Sequence, residues 1–345
     1  MNFFINLFRP NLANSLVNQN HHDNLNKKKF DINHKKEKVY VIRRKPSPTG
    51  FFSNFTFVFN NLIKAKKKGY NVLVDMENYP TIYNEKNKIF NTYNSWEYYF
   101  KQTSKKSINL KYNYKKLFFS KLIFTKDMEK NLDKLKKNKY ALKILNNYIK
   151  IQDIHKKELK KKLRKKFNNK KILGVQISGT TQKIVINHQL PIMPEQLIKE
   201  IEKIFIREKC HKIFLVTEDL QYFNILKKYF KNKIIYLNSF RSSASPFGNH
   251  IKAFTGYPRQ NHRYNLGREI LIEALMLSNC DVILYSDSNV SRAAILFSKI
   301  NQKKYEINTS LNSKYVFIAR WRWYIHRLLF RIGFKFKYKI LEKNH

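Results

Sequence analysis

The chain has 345 residues, 43% of them apolar, with 27 Phe and 21 Tyr, which suits two domains of ordinary size with packed interiors. Its 69 Lys and Arg against 24 Asp and Glu leave a formal charge of +45. Arg supplies only 14 of the 69, however, and the basic residues are dispersed, so no nucleic-acid-binding module is read and no specific nucleic-acid partner is expected. Cys210 and Cys280 stand 70 positions apart in apolar stretches, which excludes a disulfide framework and a cysteine metal spacing and suits a reduced, cytoplasmic protein.

Residues 1–36 are polar and rich in Asn, Lys and His after a short apolar start, and they are expected to be poorly ordered. That start has no basic leader region and no long apolar core, so it is a poor signal peptide. No stretch approaches the ~20 uncharged apolar residues of a membrane-spanning helix. Val39-Tyr40-Val41-Ile42 reads as a buried strand, followed by the turn Pro46-Ser47-Pro48-Thr49-Gly50. Phe55, Phe59, Leu62 and Ile63 then fall at helical spacing within 51–68, Gly69 stops the helix, and Asn71 to Asp75 is a second strand. Strand, helix, strand is the α/β crossover unit.

From 126 to 170 the chain is almost continuous Lys, Leu, Ile and Asn without Pro or Gly, which predicts a helical hairpin or long helices leading to a domain boundary. A second series follows, with strands at 172–177, 212–217, 233–237 and 281–285 and helices at 194–207, 220–230, 266–278 and 288–299. This alternation predicts an α/β protein with doubly wound parallel sheets, in two halves facing a cleft. The expected domains are 37–168 and 169–314, followed by a basic aromatic helix within 315–345. There Trp321, Ile325, Leu328, Leu329 and Ile332 share one helical face, and Arg320, Arg327, Arg331 and Lys335 lie on the other. Two readings stay open for that helix: docking on an anionic membrane surface through 316–340, or packing back across the first domain.

Ligands of a doubly wound sheet bind beyond the carboxyl ends of its strands. The loop Tyr285-Ser286-Asp287-Ser288-Asn289-Val290-Ser291 opens a helix there, so its N–H groups and hydroxyls can hold a phosphate; plain helix capping explains the same residues. Before it runs Gly267-Arg268-Glu269-Ile270-Leu271-Ile272-Glu273-Ala274-Leu275-Met276-Leu277-Ser278-Asn279-Cys280-Asp281. Together these resemble the G-x-E-x-L-x-D-A-L-x-L-S-x-C-D segment and S-S-N-V-S loop of the fucosyltransferase superfamily, with Asp287 in place of a small residue. Ile213 to Asp219 is similar to the family's I-F-L-A-T-D-D strand end. Gly50-Phe51-Phe52-Ser53-Asn54 is similar to its G-x-x-S-N loop. Residues 74–85 and 94–100 look like a signature of bacterial surface-polysaccharide members.

The resemblance implies two Rossmann-like domains of the GT-B type. It also implies a metal-independent, inverting glycosyltransferase without a cofactor, working in surface polysaccharide synthesis. Its donor would be a nucleotide sugar, with GDP-fucose the first candidate, and its acceptor a glycan or lipid-linked glycan. The two cysteines suit the cytoplasm, and the membrane reading of 316–340 would place the protein on the inner face of the membrane. The donor-binding residues carried over are Phe52, Asn54, Gln176, Ser178, Thr181, Glu218, Asp219, Arg241, Ser286, Ser288, Asn289, Val290 and Ser291. Asp75, Glu77 and Glu97 are candidates for the general base that takes the acceptor's proton.

One motif departs. Gly174-Val175-Gln176-Ile177-Ser178-Gly179-Thr180-Thr181-Gln182-Lys183 aligns with the family's G-V-H-x-R-G-T-D-x-K, with Gln176 for His, Ser178 for Arg and Thr181 for Asp. The family's Arg grips the β-phosphate as negative charge builds on the leaving diphosphate, and losing such a contact costs on the order of 10²–10³ in rate. Arg43, Arg44, Lys183, Arg241 and Arg263 are the cations that could replace it. The alternative is a catalytically degenerate relative that binds a glycan, nucleotide or partner.

Overall fold

In a computed structural model the structure describes residues 38–104, 116–243, 245–247, 256–298 and 301–343. The expected disordered segment 1–36 lies outside the described residues. The chain divides into two compact units. One ends at Lys156 and takes back Arg259–Arg268; the other runs Lys157–Pro258 and resumes at Glu269.

The first unit is built on a three-stranded parallel sheet, β1 (Lys38–Ile42) between β2 (Asn71–Val74) and β3 (Lys116–Phe119). Helix α1 (Phe51–Lys67) makes the crossover, and its last turn carries Lys64, Lys66 and Lys67 at the negative end of the dipole. Gly69 follows at φ +70, a left-handed stop that suits glycine. Residues 76–100 form turns rather than regular elements. Their Tyr83, Trp96, Tyr99 and Phe100 pack on Phe51 and Phe55 of α1 in an aromatic core. The stretch 126–170, expected as a helical hairpin or long helices, holds three helices, α2 (Leu132–Leu135), α3 (Lys139–Tyr148) and α4 (Asp153–Lys166). Asn138 causes one break, its side chain capping α3 by accepting from the Ala141 N–H.

The second unit holds a six-stranded sheet in the order β6-β5-β4-β7-β8-β9. These are β4 (Ile172–Gln176), β5 (Lys212–Val216), β6 (Ile234–Ile235), β7 (Val282–Ser286), β8 (Lys303–Thr309) and β9 (Tyr338–Lys343). All pairs are parallel except β8 with β9. Successive strand residues point to opposite faces, so Leu173, Val175, Ile213 and Leu215 face α5 (Pro194–Arg207) and α6 (Leu220–Phe230). Ile172, Phe214 and Ile283 face α7 (His262–Leu277) and α8 (Asn289–Phe297). Leu159 and Leu163 of α4 join this second face, and the division between the compact units falls after Lys156.

Helix α9 spans Val316–Arg331 and is shorter than the expected 316–340. Gly333 at φ +100 ends it, and the following chain pairs with β8 as the edge strand β9, a strand that the helical periodicity of the sequence hid. Within the second unit Trp323 of α9 is buried in the core, its indole N–H donating to the Pro191 carbonyl at 3.2 Å.

Candidate functional site

Strand order reverses between β4 and β7, so the loops at their carboxyl ends part there and leave a place for a ligand. Gln176 ends β4 and is buried. Its amide nitrogen donates to the Ser178 hydroxyl at 3.0 Å, and its carbonyl accepts from Ser288 Oγ at 3.1 Å and Ser286 Oγ at 3.4 Å. The Ser178 N–H donates to Ser286 Oγ at 3.2 Å. Gln176 thus ties the loop after β4 to the loop after β7, and hydrogen bonds bring Ser178, Ser286, Ser288 and Ser291 together.

Helix α8 starts in this loop. Ser288 caps it by accepting from the Ser291 N–H, and Ser291 reciprocates from its side chain in a capping box. The Asn289 and Val290 N–H groups find no acceptor among the described residues. They sit at the positive end of the helix dipole, an arrangement that accepts an anion. Asp287 adds no net charge beside them, because Arg292 holds it in an ion pair at 2.6 Å. Arg292 was not singled out from sequence; its place one turn into the helix after a phosphate-type loop was the available signal. His188, near the same pair, is held below its ordinary pKa by burial.

The carboxylates of the loop after β5 bond to neighbouring parts of the second unit. One oxygen of Glu218 accepts from the Gly179 N–H, the Thr180 N–H and the Thr180 hydroxyl at 2.9, 3.1 and 3.0 Å. Burial raises its pKa against the lowering by these donors. Asp219 caps α6 through the Gln221 and Tyr222 N–H groups, while its other oxygen pairs with Lys183 at 2.6 Å in a fully buried ion pair. A Cβ at Gly179 would stand 2.6 Å from the Asp219 Cβ, so only glycine admits this approach. Burial lowers the Lys183 pKa, with Asp219 acting in the opposite direction. The ammonium lies 4.2 Å from the Trp323 ring centroid. Lys183 and Asp219 therefore neutralise each other inside the fold. Thr181 is exposed at the start of a short 3-10 turn.

Arg241 is likewise engaged. It donates to the Ser239 and Leu237 carbonyls at 2.9 and 3.0 Å, lies 3.9 Å from Glu273, and covers the Phe223 ring at 4.0 Å. Burial pushes the Glu273 carboxyl up to about 7, opposed by the Ser239 hydroxyl and Arg241. A raised carboxyl pKa means the folded state holds a proton that the unfolded state has released between pH ~4.5 and ~7. Stability should therefore fall across that window, by up to about 3 kcal/mol. Glu273→Gln should remove that slope, read as urea midpoints at pH 5 and 8. Equal slopes in both proteins would refute the assignment.

The remaining candidates belong to the first unit. Phe52 is fully buried in its aromatic core and presents no face to a ligand. Asn54 is buried and accepts from Arg44 at 2.7 Å and from the Thr49 hydroxyl at 3.0 Å. Asp75 is buried in a turn that it helps to form, accepting from the Glu77 and Asn78 N–H groups at 3.1 and 2.9 Å. Glu97 accepts from Gln102 at 2.8 Å, and Glu77 is half-buried beside Asp75. Arg263 donates to the Asn84 carbonyl at 3.4 Å. Arg43 and Arg44 bond Tyr79, Ser53 and Asn54 and pair with no carboxylate among the described residues. Burial lowers the Arg44 pKa to about 10.

No protein-family model matches the chain, and no curated protein matches its sequence. Among solved structures it is similar to NodZ alpha-1,6-fucosyltransferase co-crystallised with GDP, at 14% identity and TM-score 0.49, over 79% of this chain and 95% of that one. It is similar to fucosyltransferase NodZ from Bradyrhizobium at 13% identity and TM-score 0.48, over 79% and 96%. It is also similar to a mutant of Arabidopsis thaliana FUT1 in complex with GDP, at 10% identity and TM-score 0.43, over 86% and 76%.

Proposed function

We propose that the chain is a glycosyltransferase that holds the diphosphate of a nucleotide sugar at the start of α8. The observation that carries this reading is the pair of N–H groups on Asn289 and Val290 that find no acceptor among the described residues, in the loop that also holds the Ser286 and Ser288 hydroxyls. These donors suit a diphosphate, and the S-x-S-N-V-S loop that supplies them is the segment on which the sequence resembles fucosyltransferases. GDP-fucose is accordingly the donor to test first, with a glycan or lipid-linked glycan as acceptor. Breaking the sugar–phosphate bond builds charge on the diphosphate, and N–H groups with a helix dipole stabilise that charge less than a bidentate guanidinium does. A slow transferase is therefore expected.

A second reading, a relative that binds the nucleotide without transfer, is favoured by Ser178 together with the engagement of Lys183 and Arg241 elsewhere. Calorimetry with GDP and GDP-fucose at moderate salt separates the two. Saturable micromolar binding and donor turnover by the wild type support transfer. Binding that appears, or tightens by about tenfold or more, only in Ser178→Arg supports the non-transferring relative. No saturable binding by either protein removes the nucleotide-sugar reading.

A further inference from the structure

Helix α9 shows its larger apolar stripe to solvent. The face it packs inward holds Ala319 and Trp323, one turn apart. Phe317, Trp321, Ile325, Leu328 and Ile332 follow at intervals of four, four, three and four residues and form a stripe on the opposite side. Phe317, Leu328 and Ile332 are 77%, 62% and 73% exposed. Phe247, itself exposed, stands edge-on to Trp321 at 4.8 Å, and Phe334 prolongs the surface past the helix end. A contiguous apolar surface of this kind marks an interaction site.

The charge carried by its own segment is of one sign. Between Leu311 and Leu341 the sequence holds eight Lys and Arg and no Asp or Glu. Arg327 is neutralised by a two-pronged pair with Glu195. Arg320 and Arg331 remain exposed along one edge of the stripe. Beyond the helix end, a groove of about 790 Å³ is lined by Lys199, Lys335, Lys337 and Lys339, with Phe336 and Tyr338 between them. Among the described residues no helix is long and apolar enough to cross a membrane.

We infer that α9 lies flat in the surface of an anionic lipid bilayer, with Phe317, Trp321, Ile325, Leu328 and Ile332 at the level of the acyl chains. The flanking Arg and Lys side chains reach up to the lipid phosphates. Charge complementarity selects this occupant: an apolar strip whose own segment carries only cations matches a surface that is greasy below and negative above. This site is independent of the nucleotide-sugar reading.

The test uses the full chain with vesicles of phosphatidylcholine alone or with a quarter phosphatidylglycerol, at about 0.5 M salt, where screening weakens the general pull on a chain of +45. The wild type should sediment with the anionic vesicles, and acyl-brominated lipid should quench Trp321. Trp96 and Trp323 are buried, so Trp321→Phe should abolish the quenching without abolishing binding. Ile325→Glu with Leu328→Glu should weaken binding roughly 10²-fold while far-UV circular dichroism stays unchanged. Three results overturn the inference: no binding by the wild type, equal binding by the double variant, or a stable dimer in which Trp321 is already shielded from acrylamide before lipid is added.

Discussion

Replacing Lys183 by methionine is expected to destabilise the second unit by about 3–5 kcal/mol, because it leaves the Asp219 carboxylate buried without its counter-charge. Both side chains are fully buried and 2.6 Å apart. Asp219 cannot turn to water, since its other oxygen is held by the N-terminal N–H groups of α6. Methionine has nearly the volume of the lysine stem, so the cost measures the charge rather than a cavity. Adding Asp219→Asn removes the stranded charge and keeps the capping oxygen, and it should recover more than half of the loss. Urea midpoints of the wild type, both single variants and the double variant decide the matter. A single-variant cost below about 1 kcal/mol would mean that the pair is wet and that Lys183 is available to a ligand after all.

The second large effect is expected at Gly267. A Cβ there would overlap the hydroxyl and Cζ of Tyr99. The Tyr99 ring cannot retreat: it is buried against Phe51 at 4.8 Å and stacked on Tyr264 at 5.9 Å, and its hydroxyl donates to the Tyr264 carbonyl at 3.0 Å. Gly267→Ala should therefore cost about 3 kcal/mol through overpacking in the first unit, seen as a lowered thermal midpoint. Tyr99→Leu in the same chain should return part of it by vacating the space. If Gly267→Ala unfolds within about 0.5 kcal/mol of the wild type, the packing of Tyr99 on this turn of helix is wrong.

These two residues also separate what can be read from a sequence from what cannot. Gly267 opens the segment that resembles the fucosyltransferase superfamily, and the strand, loop and helix that follow it are local patterns, legible as β7, its loop and α8. The reason for glycine at that position is an aromatic ring 168 residues away in the chain, which no spacing rule reveals. Lys183 makes the same point in the site. By sequence it is one of five cations that could replace the missing guanidinium, and only the structure shows its charge paired with Asp219.

Helix α9 is the intermediate case. Its helical character and its basic-aromatic composition are visible in the residues, but Trp321 and Trp323 lie two apart, and either could have marked the inward face. Packing against Tyr222 and the second core buried Trp323 and left the longer stripe outside. The sequence by itself determined the alternation of strands and helices, the loop that opens α8 and the absence of an arginine at position 178. These follow from periodicity, capping chemistry and residue identity, all properties of neighbours in the chain. The tertiary structure alone decided which charges cancel, which acids are turn formers, which face of α9 meets solvent, and that residues 338–343 are a strand. Those outcomes depend on contacts between segments far apart in sequence, where burial sets the strength of every charge and only packing says which side chains are buried.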